Sequence, residues 1–590
     1  MPFRRAVAVA ALGAAVAGLV TALVVHGALP EPSADVARGG DDAFARGLFP
    51  RELSGRAGPM RWTRESAWVR FRLLPAGPAT LEVVVRGHRS PVTVSVDGTP
   101  VGVIAAGARL GVFALPDSGR RRRDVELRTP TFQAGARALG TQLRRVTLRS
   151  GARGAPPALL VALFVLTALG GLFAGLFARL RPLPALVAAT GVTATLAAVL
   201  WPSGLARSPY ASIAVALVLG GCAVAAALTR LAARRWPALG PGAYAGLLAA
   251  FLVQGLLATS PLMVVSDAVF HANNLQRFVE GDLWLTSQTQ HVPPFRFPYG
   301  VSFYALLAPL YALGLDPGWL VRGGAAFSGL VASAALLLLL APRGDGRAGL
   351  AVAMLQLLPV TFDLHSYGNL SNVFGQALTA LFFCWWAAGG PGGWALGAVL
   401  LAVGALGHFS SFVVLGALSA ALLLLRRREL RDEPWRVAAV GAGLGLALAY
   451  YAGFVPLVIE QLPRALEGAG TPGGSAVGGP LVELVGQWGL PAAALAAAGL
   501  PRPGRSALDR DLAGYWTAGA ALALVGLSSP LDVRYLHALG LPLAVAAAEG
   551  AFWLWSIGLA GRIAAVALAL AQVVAAVRTV VEALLWRYRP

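Results

Sequence analysis

The chain has no lysine: all 48 of its basic residues are arginine. It is also short of cysteine, with two, of methionine and asparagine, with four each, and of charge, at 13% of 590 residues. Soluble domains carry about 25% charged residues, so a soluble globular enzyme and a disordered tail protein are both excluded. Two cysteines exclude a disulfide scaffold. Cys222 and Cys384 each fall inside an apolar run with no CxxC and no metal-ligand spacing, so they read as structural thiols. The formal net charge of +20 suggests nucleic acid only until its distribution is considered. The arginines lie mostly in short loops between apolar runs, where cytoplasmic charge collects, and no basic, aromatic-interleaved soluble module is present. Loss of lysine alongside abundant Ala, Gly, Arg and Pro fits the codon bias of a GC-rich bacterial genome.

What is present is apolar: 57% of residues, in runs of membrane-spanning length. The expectation is a polytopic α-helical membrane protein with about 15 transmembrane helices. Residues 1–29 read either as a cleaved signal peptide or, favoured because the run is long for one and no clear A-x-A site follows, as an uncleaved transmembrane anchor, the basic start at Arg4 and Arg5 lying in the cytoplasm and the apolar run from Ala6 to Val25 crossing the bilayer.

Residues 30–155 differ in pattern. The stretches beginning at Trp68, Leu81 and Val92 alternate apolar and polar residues, and Asp97-Gly98 is a hairpin signal with a return strand from Val101 to Ile104. An extracytoplasmic β-sandwich is expected, with Arg120 to Arg123 as a solvated loop. Residues 156–239 read as additional spans and residues 240–590 as a transmembrane core.

Arginine-bearing loops recur at Arg179 and Arg181, Arg230 to Arg235, Arg343 and Arg347, Arg426 to Arg436, and Arg502 to Arg510. Placing them in the cytoplasm puts the segments around Asp267, Asp363, His408, residues 460–480 and Asp532 on the other side. Parity then makes the short run from Val301 to Gly314 an interfacial or re-entrant helix. The alternative is that two short runs fuse around His408.

All seven histidines fall in or beside the expected non-cytoplasmic segments, and the four asparagines, Asn273, Asn274, Asn369 and Asn372, lie in two of them. A shared outward-facing polar cavity is implied. In the segment from Ser266 to Gly281, helical spacing puts Asp267, His271 and Asn274 on one face. A carboxylate beside an imidazole suits general-base work on a hydroxyl; it equally suits a divalent cation or a plain helix cap. The segment from Phe362 to Asn372 brings Asp363, His365, Tyr367 and Asn369, which read either as groups for sugar hydroxyls or as a capping turn. His408 is a phosphate ligand or a satisfied structural group. Arg534, beside Tyr535, is a phosphate partner or snorkels toward headgroups.

From about residue 240 this order of segments resembles the GT-C glycosyltransferases, the multi-span enzymes that use polyprenyl-phosphate-linked sugars and include protein mannosyltransferases and aminoarabinose transferases. Asp267 matches the catalytic acid in the outer loop after the first core span. The Pro-rich stretch from Pro293 to Gly300 and the span from Gly314 to Arg343 follow in the family's order, and Asp363 matches its second outer acidic segment. The lipid-phosphate segment corresponds to Gly407 and His408, and the late Arg-Tyr pair to Arg534 and Tyr535. The resemblance implies an inverting hexosyl or pentosyl transfer at the outer face of the bacterial cytoplasmic membrane. The donor would be a polyprenyl-phosphate-linked sugar and the acceptor a glycan, lipid or protein. Asp267, His271 and Asp363 would be catalytic, and Asn274, His365, Tyr367, Asn369, His408, Arg534 and Tyr535 would bind substrate. A single acid where many members pair two leaves a divalent metal at Asp267 open. A flippase for a lipid-linked glycan is the alternative function.

Overall fold

The computed structural model describes residues 2–29, 31–36, 43–49, 52–54, 58–74, 77–86, 89–117, 119–135, 137–150, 155–201, 204–261, 267–288, 296–461, 486, 488–500, 506–526 and 536–585. Two compact units divide the chain: Met1–Leu228 with Thr259–Met263 and Leu584–Pro590, and Thr229–Ala258 with Val264–Ala583.

In the first unit, α1 (Pro2–Ala28), α2 (Ala158–Phe177) and α3 (Pro182–Leu200) pack through small residues. A Cβ on Gly18 would fall 2.7 Å from the Val165 Cα, and one on Gly171 would lie 3.2 Å from the Ala189 Cα. Close backbone approach of this kind is how helices associate where lipid supplies no hydrophobic drive.

Between α1 and α2 lies an antiparallel sheet. Its hairpin forms as the sequence implies: β6 (Val92–Val96) returns as β7 (Thr99–Ile104), with Asp97 at φ 53° and Gly98 at φ 84°, the signs a type I′ turn needs. The expected β-domain is present, and among the described residues ten of its strands join in one continuous sheet in place of two separate ones. The reason is β4 (Gly58–Arg72), a 15-residue strand. Arg61 and Trp62 pair with β12 (Gln142–Ser150), while Ser66 to Arg72 pair with β9 (Arg122–Arg128). One strand therefore belongs to both halves and turns the corner between them. The half carrying β12 continues through β5 (Ala79–Arg86) to β8 (Leu110–Leu115), and the half carrying β9 continues through β6 to β7. Val69, Phe71, Leu81, Val83, Val125 and Leu127 fill the interior, each fully buried.

The arginine run is not all loop. Arg122 and Arg123 open β9, where alternation turns Arg122 to solvent and Arg123 inward. Arg123 donates to Asp97 Oδ2 (3.2 Å) and to the Pro116 carbonyl (2.8 Å).

The second unit is helical. Among the described residues of the whole chain, seven helices are long and apolar enough to cross a membrane, or up to nine if each of two bent pairs counts as one. These are the marks of a multi-pass membrane protein. In this unit they include α5 (Pro241–Thr259), α8 (Pro317–Leu340) and the last helix, Leu559–Leu585. The run expected to be re-entrant is α7 (Ser302–Ala312), whose 11 residues span only about 17 Å, too short to cross. The apolar stretch around His408 is two helices, α12 (Trp394–Ala405) and α13 (Phe409–Leu425), separated at His408 itself.

Three devices lock this unit. The Asp345 carboxylate, at the start of α9 (Asp345–Gln356), accepts from the N–H groups of Gly240, Gly242 and Ala243 at 2.7, 2.6 and 2.8 Å, satisfying the orphan donors of α5. Beside it Gly349 meets Gly242 so closely that a Cβ there would lie 1.9 Å from the Gly242 oxygen. Arginine-bearing loops are then tied together. Arg426 grips the buried Asp511 with two hydrogen bonds (2.7 and 2.5 Å), Arg343 holds Asp509 (2.5 Å) and Glu549 (3.2 Å), and Arg510 holds Glu429 (2.6 Å). Three loops far apart in sequence therefore share one end of the unit.

The third device is a broken helix. α9 ends at Gln356 and α10 (Pro359–Tyr367) resumes at a bend of 45°. Pro359 has no N–H for the Leu355 carbonyl, which accepts from Thr361 Oγ1 instead (3.1 Å), and the Thr361 N–H turns to the Leu358 carbonyl, so the Leu357 carbonyl needs a partner from elsewhere. It receives Gln572 Nε2 (2.9 Å), and the same buried amide also donates to the Trp488 carbonyl and accepts from the Ala492 N–H.

Candidate functional site

Asp267 stands immediately before α6 (Ala268–Val279), an amphipathic twelve-residue helix. Its carbonyl accepts the His271 N–H (2.9 Å), but its side chain makes no capping bond to the helix, so the cap reading is not what the structure shows. The residue is half-buried.

One turn on, His271 is 1% exposed and tied at both ring nitrogens. Nε2 lies 2.8 Å from the Gly368 carbonyl and Nδ1 lies 2.8 Å from Tyr304 Oη on α7. A carbonyl only accepts, so the proton sits on Nε2 and Nδ1 accepts from the tyrosine. Tyr304 Oη in turn accepts from Asn274 Nδ2 (3.3 Å). The expected face of Asp267, His271 and Asn274 thus exists, but its last two members are spent inside the protein. Burial pulls the His271 pKa down to about 4, against the raising effect of the Gly368 carbonyl. With both nitrogens occupied and the neutral ring favoured, His271 holds its neighbours in place and keeps no ring nitrogen free for proton transfer.

Gly368 makes the junction. It ends α10 at φ 79°, in the left-handed region where glycine is at ease, and a Cβ on it would fall 2.6 Å from the Asp267 nitrogen. The loop after α10 is therefore pressed against the backbone of Asp267 while its carbonyl holds His271. The two polar segments, 101 positions apart when counted from Asp267 to Gly368, form one site.

A third segment joins them. Tyr299 Oη pairs with Ser371 Oγ (3.0 Å) at the start of α11 (Leu370–Ala388), and its ring meets the His408 ring edge-on at 5.2 Å. His408 caps α13: its Nδ1 accepts the Ser410 N–H (3.1 Å) and lies 2.7 Å from Ser410 Oγ. Ser410 Oγ reaches Asn372 Oδ1 (3.0 Å).

The second segment does not act as one cluster. Asp363 and His365 are two residues apart on α10, so they face opposite sides. Asp363 is half-buried, whereas His365 is 3% exposed and turned into the bundle. Asn369 precedes α11 without capping it by its side chain. Tyr367 lies in α10, its side chain outside the described part of the structure, and Arg534 and Tyr535 lie outside the described residues altogether.

Among the described residues no three His, Cys, Asp or Glu side chains converge on a point that a metal ion could occupy.

Sequence reasoning missed Tyr299, Tyr304, Gly368 and Ser371. Their roles come from long-range contacts that no local spacing encodes. A signal did exist for Gln254, Gln356 and Gln376, amides stranded in apolar runs, all of them buried. No protein-family model matches the chain, and no curated protein matches it.

Proposed function

We propose that the chain is a membrane glycosyltransferase of GT-C type. On this reading it moves a sugar from a polyprenyl-phosphate-linked donor to an acceptor hydroxyl at the outer face of a bacterial cytoplasmic membrane, across about 15 spans. The observation that carries the reading is the contact of Gly368 with Asp267 and His271. It brings both polar, asparagine-bearing segments to one place, while the arginine loops gather elsewhere through their ion pairs.

In this reaction Asp267 takes the proton from the acceptor hydroxyl as its oxygen attacks the anomeric carbon. The bond from that carbon to the phosphate oxygen breaks, the configuration inverts, and polyprenyl phosphate leaves with the electron pair. His271 and Asn274 hold α6 through Tyr304 and Gly368, so that Asp267 is positioned before substrate arrives. Asp363, Asn369 and Tyr367 contact sugar or acceptor. His408 and Arg534 would, on this reading, stabilise the departing phosphate.

The test is purified protein, a panel of radiolabelled polyprenyl-phosphate sugars and an extract of native envelope acceptors. Turnover that vanishes in Asp267→Asn, with folded protein retained, supports the reading; turnover unchanged in that variant removes Asp267 from the chemistry. A flippase for a lipid-linked glycan has one observation in its favour, the broken helix of α9 and α10, because interrupted spans line transport sites. Movement of labelled lipid between leaflets of proteoliposomes without turnover would select it.

A further inference from the structure

Behind the site, on the opposite face of α10 from Asp363, lies a cavity of about 50 Å³. Its walls include Gln254, Gln356, His365, Gln376, Tyr515 and His537. Three polar atoms of these walls have no hydrogen-bond partner among the described residues: Gln254 Oε1, His365 Nε2 and His537 Nδ1. Gln254 is 2% exposed and His365 3%. Buried polar atoms are almost always paired, with protein or with ordered water. Three orphans around one small space call for an occupant.

The surrounding bonds show what that occupant must offer. Gln254 Nε2 donates to Gln356 Oε1 (2.8 Å), Gln356 Nε2 to Ser333 Oγ (2.9 Å), and Ser333 Oγ to the Gly329 carbonyl (2.8 Å). Each donor in this chain points away from Gln254 Oε1, so that oxygen can only accept. Gly329 permits the arrangement, since a Cβ there would come within 2.9 Å of the Gln254 amide carbon. Among the described residues no carboxylate lines the cavity, so none of them offers a cation a counter-charge. An apolar guest would leave all three atoms unpaired. A molecule that both donates and accepts is required. At roughly 10 to 15 Å³ for each water, the space takes about three to five.

We infer that the cavity is a built hydration site, holding a cluster of ordered waters that bridges Gln254 Oε1, His365 Nε2 and His537 Nδ1 and so fixes the broken helix from behind. The cluster joins α5, α8, α9, α10 and α11 with the chain entering the helix Gly540–Ser556. Because α10 ends at the glycine that holds His271, these waters set the seat of the front site without touching substrate. The inference stands whether the chain transfers sugar or moves lipid.

The test is a high-resolution cryo-electron-microscopy map of the full chain in nanodiscs, with thermal melting of two variants. Separate density peaks within hydrogen-bond distance of all three atoms support the site. An empty cavity overturns it, as does continuous density from a larger molecule. In a wet cavity His365→Leu strands the waters and lowers the melting temperature, while His365→Gln restores part of the loss. In a dry cavity His365→Leu removes an unpaired polar atom and raises it, which would also overturn the inference. If His365→Leu does not fold, the wild-type map decides alone.

Discussion

His271 Nε2 donates to the Gly368 carbonyl at 2.8 Å, and these two residues, 97 positions apart, lock the helix after Asp267 to the loop after Asp363. The imidazole here works as a strut. Its second nitrogen is held by Tyr304, so the strut has three anchored ends.

That strut gives stability a pH dependence of definite sign. The His271 pKa lies at about 4 in the folded protein against 6.5 without the fold. Between those values the unfolded chain binds a proton that the folded chain refuses. The contribution is complete above pH 6.5 and declines as pH falls toward 4, by on the order of 3 kcal/mol in all. Melting temperatures of wild type and His271→Gln across pH 4 to 8 should converge as the pH drops. Parallel curves would show that this ring does not titrate with unfolding.

Gly368→Ala should damage activity out of proportion to its size. The added methyl is strained at φ 79° and would collide with the Asp267 backbone. Folded yield should fall modestly, by about 1–2 kcal/mol of stability, whereas transfer should drop at least tenfold as Asp267 is displaced. Equal loss in both measurements would make the contact purely structural.

Gly349→Leu should separate α5 from α9. No rotamer avoids the Gly242 carbonyl, because the clash begins at the Cβ. A large fall in melting temperature is expected, with Asp345→Ala a milder version that leaves three N–H groups of α5 unpaired. The two effects should not add, since both act on one contact.

At the arginine-rich end, Asp511→Asn leaves the Arg426 guanidinium buried with its main partner neutral. Breaking a buried pair from one side costs about 3–5 kcal/mol, which thermal melting will read. Arg122→Ala on the sheet is the control: Arg122 is exposed, and surface pairs contribute little. Asp97→Ala, by contrast, removes the acceptor for Arg123 and for the Asp124 N–H, and hydrogen exchange over residues 92–128 should rise.

What the sequence disclosed followed periodicity. The hairpin at Asp97-Gly98, the short helix α7, the break at His408 and the amphipathic face of α6 are all set by residues within a few positions of one another. The single sheet was hidden because alternation shows which side of a strand is buried, not that β4 is long enough to serve two neighbours. His271 read as a catalytic partner for Asp267 because the chain cannot announce Tyr304 or the carbonyl of Gly368. The opposite facing of Asp363 and His365 was legible only once that stretch proved helical, since a loop would have let them converge.

The Gln572 amide has a consequence for how the molecule is made. Leu357 leaves the ribosome 215 residues before the side chain that will satisfy its carbonyl. Through most of synthesis the broken helix is therefore an unfinished joint, its Leu357 carbonyl without the Gln572 amide until the helix Leu559–Leu585 is made. A chain that stops short of residue 572 would carry every residue of the site and still lack the bond that closes it.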